Sequence, residues 1–325
     1  MRDSFQGFAA NGIKLYAVSY DDQETLKEFS DAQRIPYPLL SDVHSAVIRQ
    51  YGILNTTVSR DDAFLYGIPF PGIYVCDENG VVTSKFFHDS YKKRESPETL
   101  IDAALGHIQI DEEAPQVSGG EENVRITAAI RGGKGSVRQG IIRHLVVRFE
   151  LAKGLHIYGE PVPEGLTATR VSLKGPPGLV TLPAEAPPTE PLRLADMGVD
   201  LQVWSTTVDI VVPFYPTGEI ASETRPLDQK RVPLSVEVCY QACTHHECLL
   251  PRTERLELEL DLDVIDVPQL SVHTGHGQRE GSYSSMPAMR RLLWRKFKEH
   301  PMGLPRFIWK SIKMERAARR RRRTR

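Results

Sequence analysis

The chain has 325 residues, 40% of them hydrophobic, and a formal net charge of −1. That length accommodates two domains of ordinary size, and no run reaches the roughly 18 apolar residues of a membrane-spanning helix. The near-neutral total hides an asymmetry: of 41 Lys+Arg and 42 Asp+Glu, 16 and 3 lie from Arg279 onward, so the tail carries +13 and the rest −14. An acidic body with a basic tail either folds one onto the other or presents the tail to an anionic partner.

The opening stretch, MRDSFQGFAANGIKLYAV, lacks a basic n-region, a long apolar h-region and a small-residue cleavage site, so it does not read as a secretory signal. IKLYAVSY (13–20) is a β-branched and aromatic run that predicts a buried strand. DDQETLKEFSDAQR (21–34) predicts a helix with acidic residues at its start, and IPYPLLSD (35–42) cannot continue it because its prolines remove donors and clash. HSAVIRQYG (44–52) predicts a short helix stopped by Gly52. In GIYVCDENGVVTSKFF (72–87), Asn79-Gly80 tolerates positive φ and predicts two strands around a turn, with Cys76 mid-strand as a small buried hydrophobe. SPETLIDAAL (96–105) predicts a closing helix with Ser96 as cap and Pro97 in the first turn.

Residues 111–123, DEEAPQVSGGEEN, are acidic and poor in apolar side chains and read as a linker. Many short alternating runs follow, among them RHLVVRFEL, STTVDIVVPF, PLSVEVCY and RLELELDLDVI, separated by turns rich in Pro and Gly. That punctuation predicts a β-sandwich over 124–266. Residues 267–325 interleave Trp294, Phe297, Phe307 and Trp309 with basic residues. Leu293/Phe297 and Leu304/Ile308 have helical spacing, and Pro301 and Pro305 divide the segment into two basic amphipathic helices.

The stretches GIKLYAVSYDDQETLKEF, IPYPLLSD, VIRQYGI and FPGIYVCDENGVV resemble the later two-thirds of an AhpC/TSA peroxiredoxin/thioredoxin-like (redoxin) domain, assigned to residues 1–110. The resemblance implies an α/β thioredoxin-like fold and a cis-proline at the position of Pro71. The family's reactive cysteine belongs to a first strand–helix junction upstream of IKLYAVSY, and neither TxxC nor CxxC is present. The expectation is an incomplete domain whose beginning lies upstream. A thioredoxin-type sheet without its first strand would otherwise expose backbone edges.

VCYQACTHHECLLPRTERLELEL, with weaker support from GLHIYGEPVPEGL (154–166), resembles the amino-terminal, immunoglobulin-like domain of the thiol:disulfide interchange protein DsbD. VPLSVEVCYQ and RTERLELEL read as consecutive strands, so Cys243 and Cys248 face each other across a short connection, within reach of a labile disulfide. His245 and His246 are placed to stabilise a thiolate near neutral pH, and Glu247 to oppose it. Three readings of the cluster stand at this point: a redox dithiol, a zinc site drawing on Cys239, Cys243, Cys248, His245 or His246 and on His273 and His276, or inert thiols. The zinc spacing matches no usual arrangement. Cys239 sits four residues and about 13 Å before Cys243 along a strand and reads as core. RGGKGS (131–136) lacks the Walker ending, and GxSxG and HExxH are absent.

The sequence therefore predicts a multidomain chain: an incomplete α/β thioredoxin-like fold, an all-β immunoglobulin-like sandwich and a basic helical tail. The function expected is thiol–disulfide exchange with a protein partner through Cys243 and Cys248, modulated by His245, His246 and Pro71, with no metal and no small-molecule cofactor. The rivals are a binding scaffold and a zinc module. The tail's expected partners are an anionic membrane surface or nucleic acid. The chain as given reads as cytoplasmic, while DsbD-type domains are periplasmic, an address that an upstream signal would supply.

Overall fold

The computed structural model describes residues 1–60, 66–88, 93–194, 199–221, 230–244 and 247–263, together with residues 290, 294, 297–298, 301–302, 305–306, 308–309 and 312–313. Two compact units emerge, Met1–Ile73 with Gln278–Arg325, and Tyr74–Gly277.

In the first unit the order is α1 (Phe5–Ala10), β1 (Ala17–Ser19), α2 (Gln23–Gln33), β2 (Leu39–Ser41) and α3 (Ala46–Gln50). β1 and β2 pair in parallel, Ala17 opposite Leu39. The expected strand over 13–20 shortens to Ala17–Ser19, the residues that find a partner in β2. The Asp22 side chain caps α2 by accepting from Thr25 N at 2.8 Å, and Arg34 ends the helix in the left-handed region. The Asp42 carboxylate accepts from Ala46 N and Ile48 N, both at 2.8 Å, and so opens α3. Phe8, Leu26 and Ile48 are the buried anchors. Phe70–Pro71 is not the cis bond that the redoxin resemblance implied; among the described residues the cis peptide is Glu160–Pro161. Trans is the favoured state of most X–Pro bonds.

Next in the chain are β3 (Gly72–Cys76), in which the second unit begins at Tyr74, and β4 (Val82–Phe87); the two pair across the expected turn. Asp77 shapes that turn by accepting from Asn79 N at 2.9 Å and Val81 N at 2.8 Å, and Gly80 supplies φ of 80°. Cys76 ends β3 and is exposed, not buried as expected, because the chain turns at Asp77 before another layer covers it. Next come β5 (Arg94–Glu95) and α4 (Pro97–Leu105), whose cap is Ser96 Oγ accepting from Thr99 N at 3.2 Å.

The strands that follow are β6 (Gln116–Glu121), β7 (Val124–Arg131), β8 (Ser136–Val137), β9 (Ile141–Leu151), β10 (His156–Tyr158), β11 (Arg170–Lys174), β12 (Leu179–Thr181), β13 (Glu190–Leu194), β14 (Val199–Ser205), β15 (Thr207–Pro216), β16 (Arg231–Tyr240), β17 (Ala242–Cys243) and β18 (Arg252–Leu262); α5 (Gly218–Ala221) intervenes after β15. One sheet runs β12-β15-β9-β7-β6 with β5 beside β9, a second β11-β16-β18-β8, and a third β13-β14-β10-β17. Part of the expected linker is thus structural: Gln116–Glu121 is a strand paired antiparallel with β7. Its Gly119 and Gly120 lie where a Cβ would strike Glu254 and the Val124 carbonyl, so composition that suggested flexibility serves close approach instead.

One apolar core joins the first two sheets. On β16, Val232, Leu234, Val236, Val238 and Tyr240 point inward at alternate positions, and Leu256, Leu258 and Leu260 of β18 do the same. Cys239 falls on the opposite phase and is half-buried, which corrects its reading as a core residue. Along the central strand β9, Ile142, Leu145, Val146, Val147 and Phe149 are buried, so apolar side chains are covered on both of its faces, although Arg143, His144, Arg148 and Glu150 interrupt the run.

A buried ion pair ties α4 to β7. Arg131 grips Asp102 bidentately, Nε to Oδ2 at 2.9 Å and Nη2 to Oδ1 at 2.8 Å, and reaches Asp111 Oδ2 at 2.7 Å. The expected boundary at residue 110 therefore lies within a compact unit, since β5 and α4 bond to the strands that follow.

Candidate redox site at Cys243 and Cys248

Cys243 and Cys248 form a disulfide. The local backbone dictates the pairing. Leu249 N donates to Ala242 O at 2.9 Å and Thr244 N to Glu247 O at 2.7 Å, so the two cysteines occupy the intervening position of an antiparallel bridge that exchanges no backbone bond. Directly opposed residues at such positions have Cα atoms about 4.5 Å apart, and here the separation is 4.1 Å. Thr244 also closes the turn with its side chain, Oγ1 accepting from Glu247 N at 3.0 Å.

The two sulfurs have unequal surroundings. Cys243, at the end of β17, is 0% exposed and packs with Tyr158, Leu201 and Val203. Val162 and Leu166 flank the same cluster from the loop after β10. Cys248 is an exposed residue, followed by Leu249 and by Leu250 at 85% exposure. Of the pair, Cys248 is therefore the residue open to solvent.

Two polar side chains hold this arrangement. Tyr158 Oη lies 3.3 Å from Cys248 Sγ. A disulfide sulfur carries no hydrogen, so the phenol donates. Burial pushes the Tyr158 hydroxyl above its ordinary pKa, which keeps it protonated and able to donate at physiological pH. Gln241, itself buried, accepts from Thr167 N at 2.8 Å through Oε1 and donates from Nε2 to Leu249 O at 3.0 Å. It thus fastens the end of the loop after β10 to the backbone just beyond Cys248. His156 stands opposite Cys243 in the β10–β17 register, with its ring edge-on to Tyr158 at 5.5 Å.

GLHIYGEPVPEGL thus reaches the cysteines through His156 and Tyr158, residues not singled out from the sequence. The sequence signal was that stretch's weak resemblance to the DsbD amino-terminal domain. His245 and His246 lie outside the described residues, as do His273 and His276. Pro71 belongs to the other unit. Among the described residues, no three His, Cys, Asp or Glu side chains converge to hold a metal ion, and no helix is long and apolar enough to cross a membrane.

A second polar cluster lies away from the cysteines. His88 Nε2 is 3.1 Å from Glu95 Oε1, and His144 Nε2 is 3.9 Å from Glu95 Oε2. Burial, reinforced by Glu185, pushes the Glu95 carboxyl up to about 7, while burial beside Arg131 pushes His144 down to about 4. Both groups are thereby held neutral near pH 6.

Comparison with known proteins bears chiefly on the first part of the chain. Chloroplastic peroxiredoxin Q of Gentiana triflora is 33% identical over 109 residues, covering 33% of this chain and 44% of the relative. The Arabidopsis thaliana protein of the same name is 32% identical with 33% and 44% coverage, and that of Sedum lineare 31% with 33% and 52%. The chain thus spans about half the length of the curated relatives it matches. Among solved structures, the reduced DsbD amino-terminal domain of Neisseria meningitidis aligns with a TM-score of 0.25 at 17% identity, covering 36% of this chain and 77% of that one. The amino-terminal periplasmic domain of ScsB from Proteus mirabilis aligns with a TM-score of 0.30 at 14% identity, covering 46% and 51%. Residues 1–85 match the AhpC/TSA family, and in this part the chain's relatives are peroxiredoxin Q proteins.

Proposed function

We propose that the protein is a thiol–disulfide oxidoreductase that exchanges electrons with a partner protein through Cys243 and Cys248. The observation that carries this reading is the asymmetric disulfide, with one sulfur on an exposed residue and the other sealed. A staple gains nothing from exposing one end, and a bond closing so short a loop contributes little unfolded-state entropy. The resemblance of the cysteine segment to the DsbD amino-terminal domain points the same way, as does the AhpC/TSA match of residues 1–85. On this reading the strands after residue 123 are an immunoglobulin-like domain and the redoxin part precedes it.

In the reductive direction, a partner thiolate attacks Cys248 Sγ. A mixed disulfide forms between that sulfur and the partner, and the Cys243–Cys248 bond breaks with its electron pair on Cys243, which then takes a proton. The partner's second thiolate attacks its own sulfur in the mixed disulfide and releases Cys248 as thiolate. The partner dithiol is oxidised by two electrons and the pair here is reduced by two. Tyr158 stabilises the Cys248 thiolate by its hydrogen bond, so the same sulfur is the nucleophile in reverse, with Cys243 resolving. His245 and His246 are assigned to support that thiolate electrostatically.

The test is trapping. Cys243→Ser, incubated with glutathione disulfide, should accumulate a mixed disulfide at Cys248, while Cys248→Ser should not label at the buried Cys243. Equal labelling of both variants, or none, overturns the assignment and favours the scaffold reading.

A further inference from the structure

We propose that the C-terminal segment holds the protein on an anionic lipid surface. Arg290, Trp294, Phe297 and Lys298 are helical, a spacing that places them along one side of a helix. Trp294 and Phe297 stack with ring centroids 6.0 Å apart, and Lys298 Nζ sits 5.3 Å from the Trp294 centroid. Beyond Pro301 the pattern recurs: Arg306 N donates to Met302 O at 3.2 Å, Ile308, Trp309 and Ile312 follow in helical conformation, and Lys313 Nζ lies 5.2 Å from the Trp309 centroid.

These apolar side chains are uncovered. Trp294 is 61% and Trp309 66% exposed, and Phe297, Met302, Ile308 and Ile312 are exposed with them. The charge from Arg279 onward, 16 Lys+Arg against 3 Asp+Glu, calls for an anionic occupant. Nucleic acid would use those cations but leave the isoleucines, Met302 and Phe297 in water. A bilayer surface of anionic headgroups satisfies both halves: tryptophan rings settle at the headgroup level, aliphatic chains enter the acyl boundary, and the lysines keep their ammonium groups at the phosphates.

The test uses the full chain with mixed phosphatidylcholine–phosphatidylglycerol vesicles, pure phosphatidylcholine vesicles and duplex DNA. Trp294→Ala/Trp309→Ala keeps every charge and changes exposed positions only. The wild type should sediment with the mixed vesicles alone among the lipids, with blue-shifted tryptophan emission. The double variant should bind them about tenfold more weakly or worse, and its remaining Trp204 should not shift on lipid addition. Equal vesicle affinity of the two proteins overturns the proposal, as does binding to DNA in preference to mixed vesicles or binding to neither.

Discussion

Replacing Tyr158 with Phe removes one hydroxyl and leaves the ring in its buried seat. The hydroxyl donates to Cys248 Sγ across 3.3 Å, and a hydrogen bond to a charged acceptor contributes about 1.5–3 kcal/mol. One pKa unit corresponds to about 1.4 kcal/mol, so full transmission would raise the Cys248 thiol by about 1–2 units. Cys248 is exposed, and water replaces part of the lost bond, which brings the expectation to about 1 unit. The assay is the pH dependence of alkylation of Cys248 in a Cys243→Ser background, with and without Tyr158→Phe. The midpoint should move upward by that amount while the plateau rate at high pH stays nearly the same. An unmoved or lowered midpoint would refute the claim that Tyr158 stabilises the thiolate.

Three further outcomes are expected. Asp102→Ala leaves Arg131 buried opposite a missing partner, and breaking such a pair costs about 3–5 kcal/mol; chemical denaturation should read this, whereas a loss under about 1 kcal/mol would mean that the pair is dispensable. Gln241→Ala strands Thr167 N and Leu249 O and should cost about 1–3 kcal/mol together with faster reduction of the disulfide by dithiothreitol; unchanged reduction kinetics would contradict its positioning role. Glu95, with a folded pKa of about 7, holds a proton that the unfolded chain releases near 4.5, so its contribution falls as pH rises through that window. His144, held down to about 4, does the opposite, its contribution being lost as pH falls from about 6.5 toward 4. Glu95→Gln should therefore gain about 1–2 kcal/mol over the wild type above pH 7 and converge with it near pH 4; parallel stability profiles would disprove this.

What was legible in the sequence was what local chemistry decides. Ser96-Pro97 announced a helix start through capping and proline geometry, and that cap is present; the acidic residues at 21–22 marked the other start by charge, and Asp22 proves to cap it. Alternation along PLSVEVCY and RLELELDL placed β16 and β18, and the two strands leave a connection short enough to oppose Cys243 and Cys248. The failures share a different cause. Gln116–Glu121 pairs with β7 in spite of its polar, glycine-containing composition, because a neighbouring strand supplies the bonds that propensity does not. Cys239 was misplaced because its distance from Cys243 along the strand, which set it apart from the pair, does not decide its phase, and on β16 it falls one residue off the inward-facing positions. Tyr158 and Gln241 are separated from Cys248 and Thr167 by 90 and 74 positions, contacts that local patterning does not encode.

The central claim is tested most directly by poising the purified protein in graded glutathione redox buffers, quenching with an alkylating agent, and reading each cysteine by mass spectrometry. The account predicts that Cys243 and Cys248 change together in a single reversible two-electron transition, gaining two hydrogens on reduction, while Cys76 and Cys239 label throughout. A pair that stays closed at every glutathione poise, or that labels as two independent thiols, would contradict it.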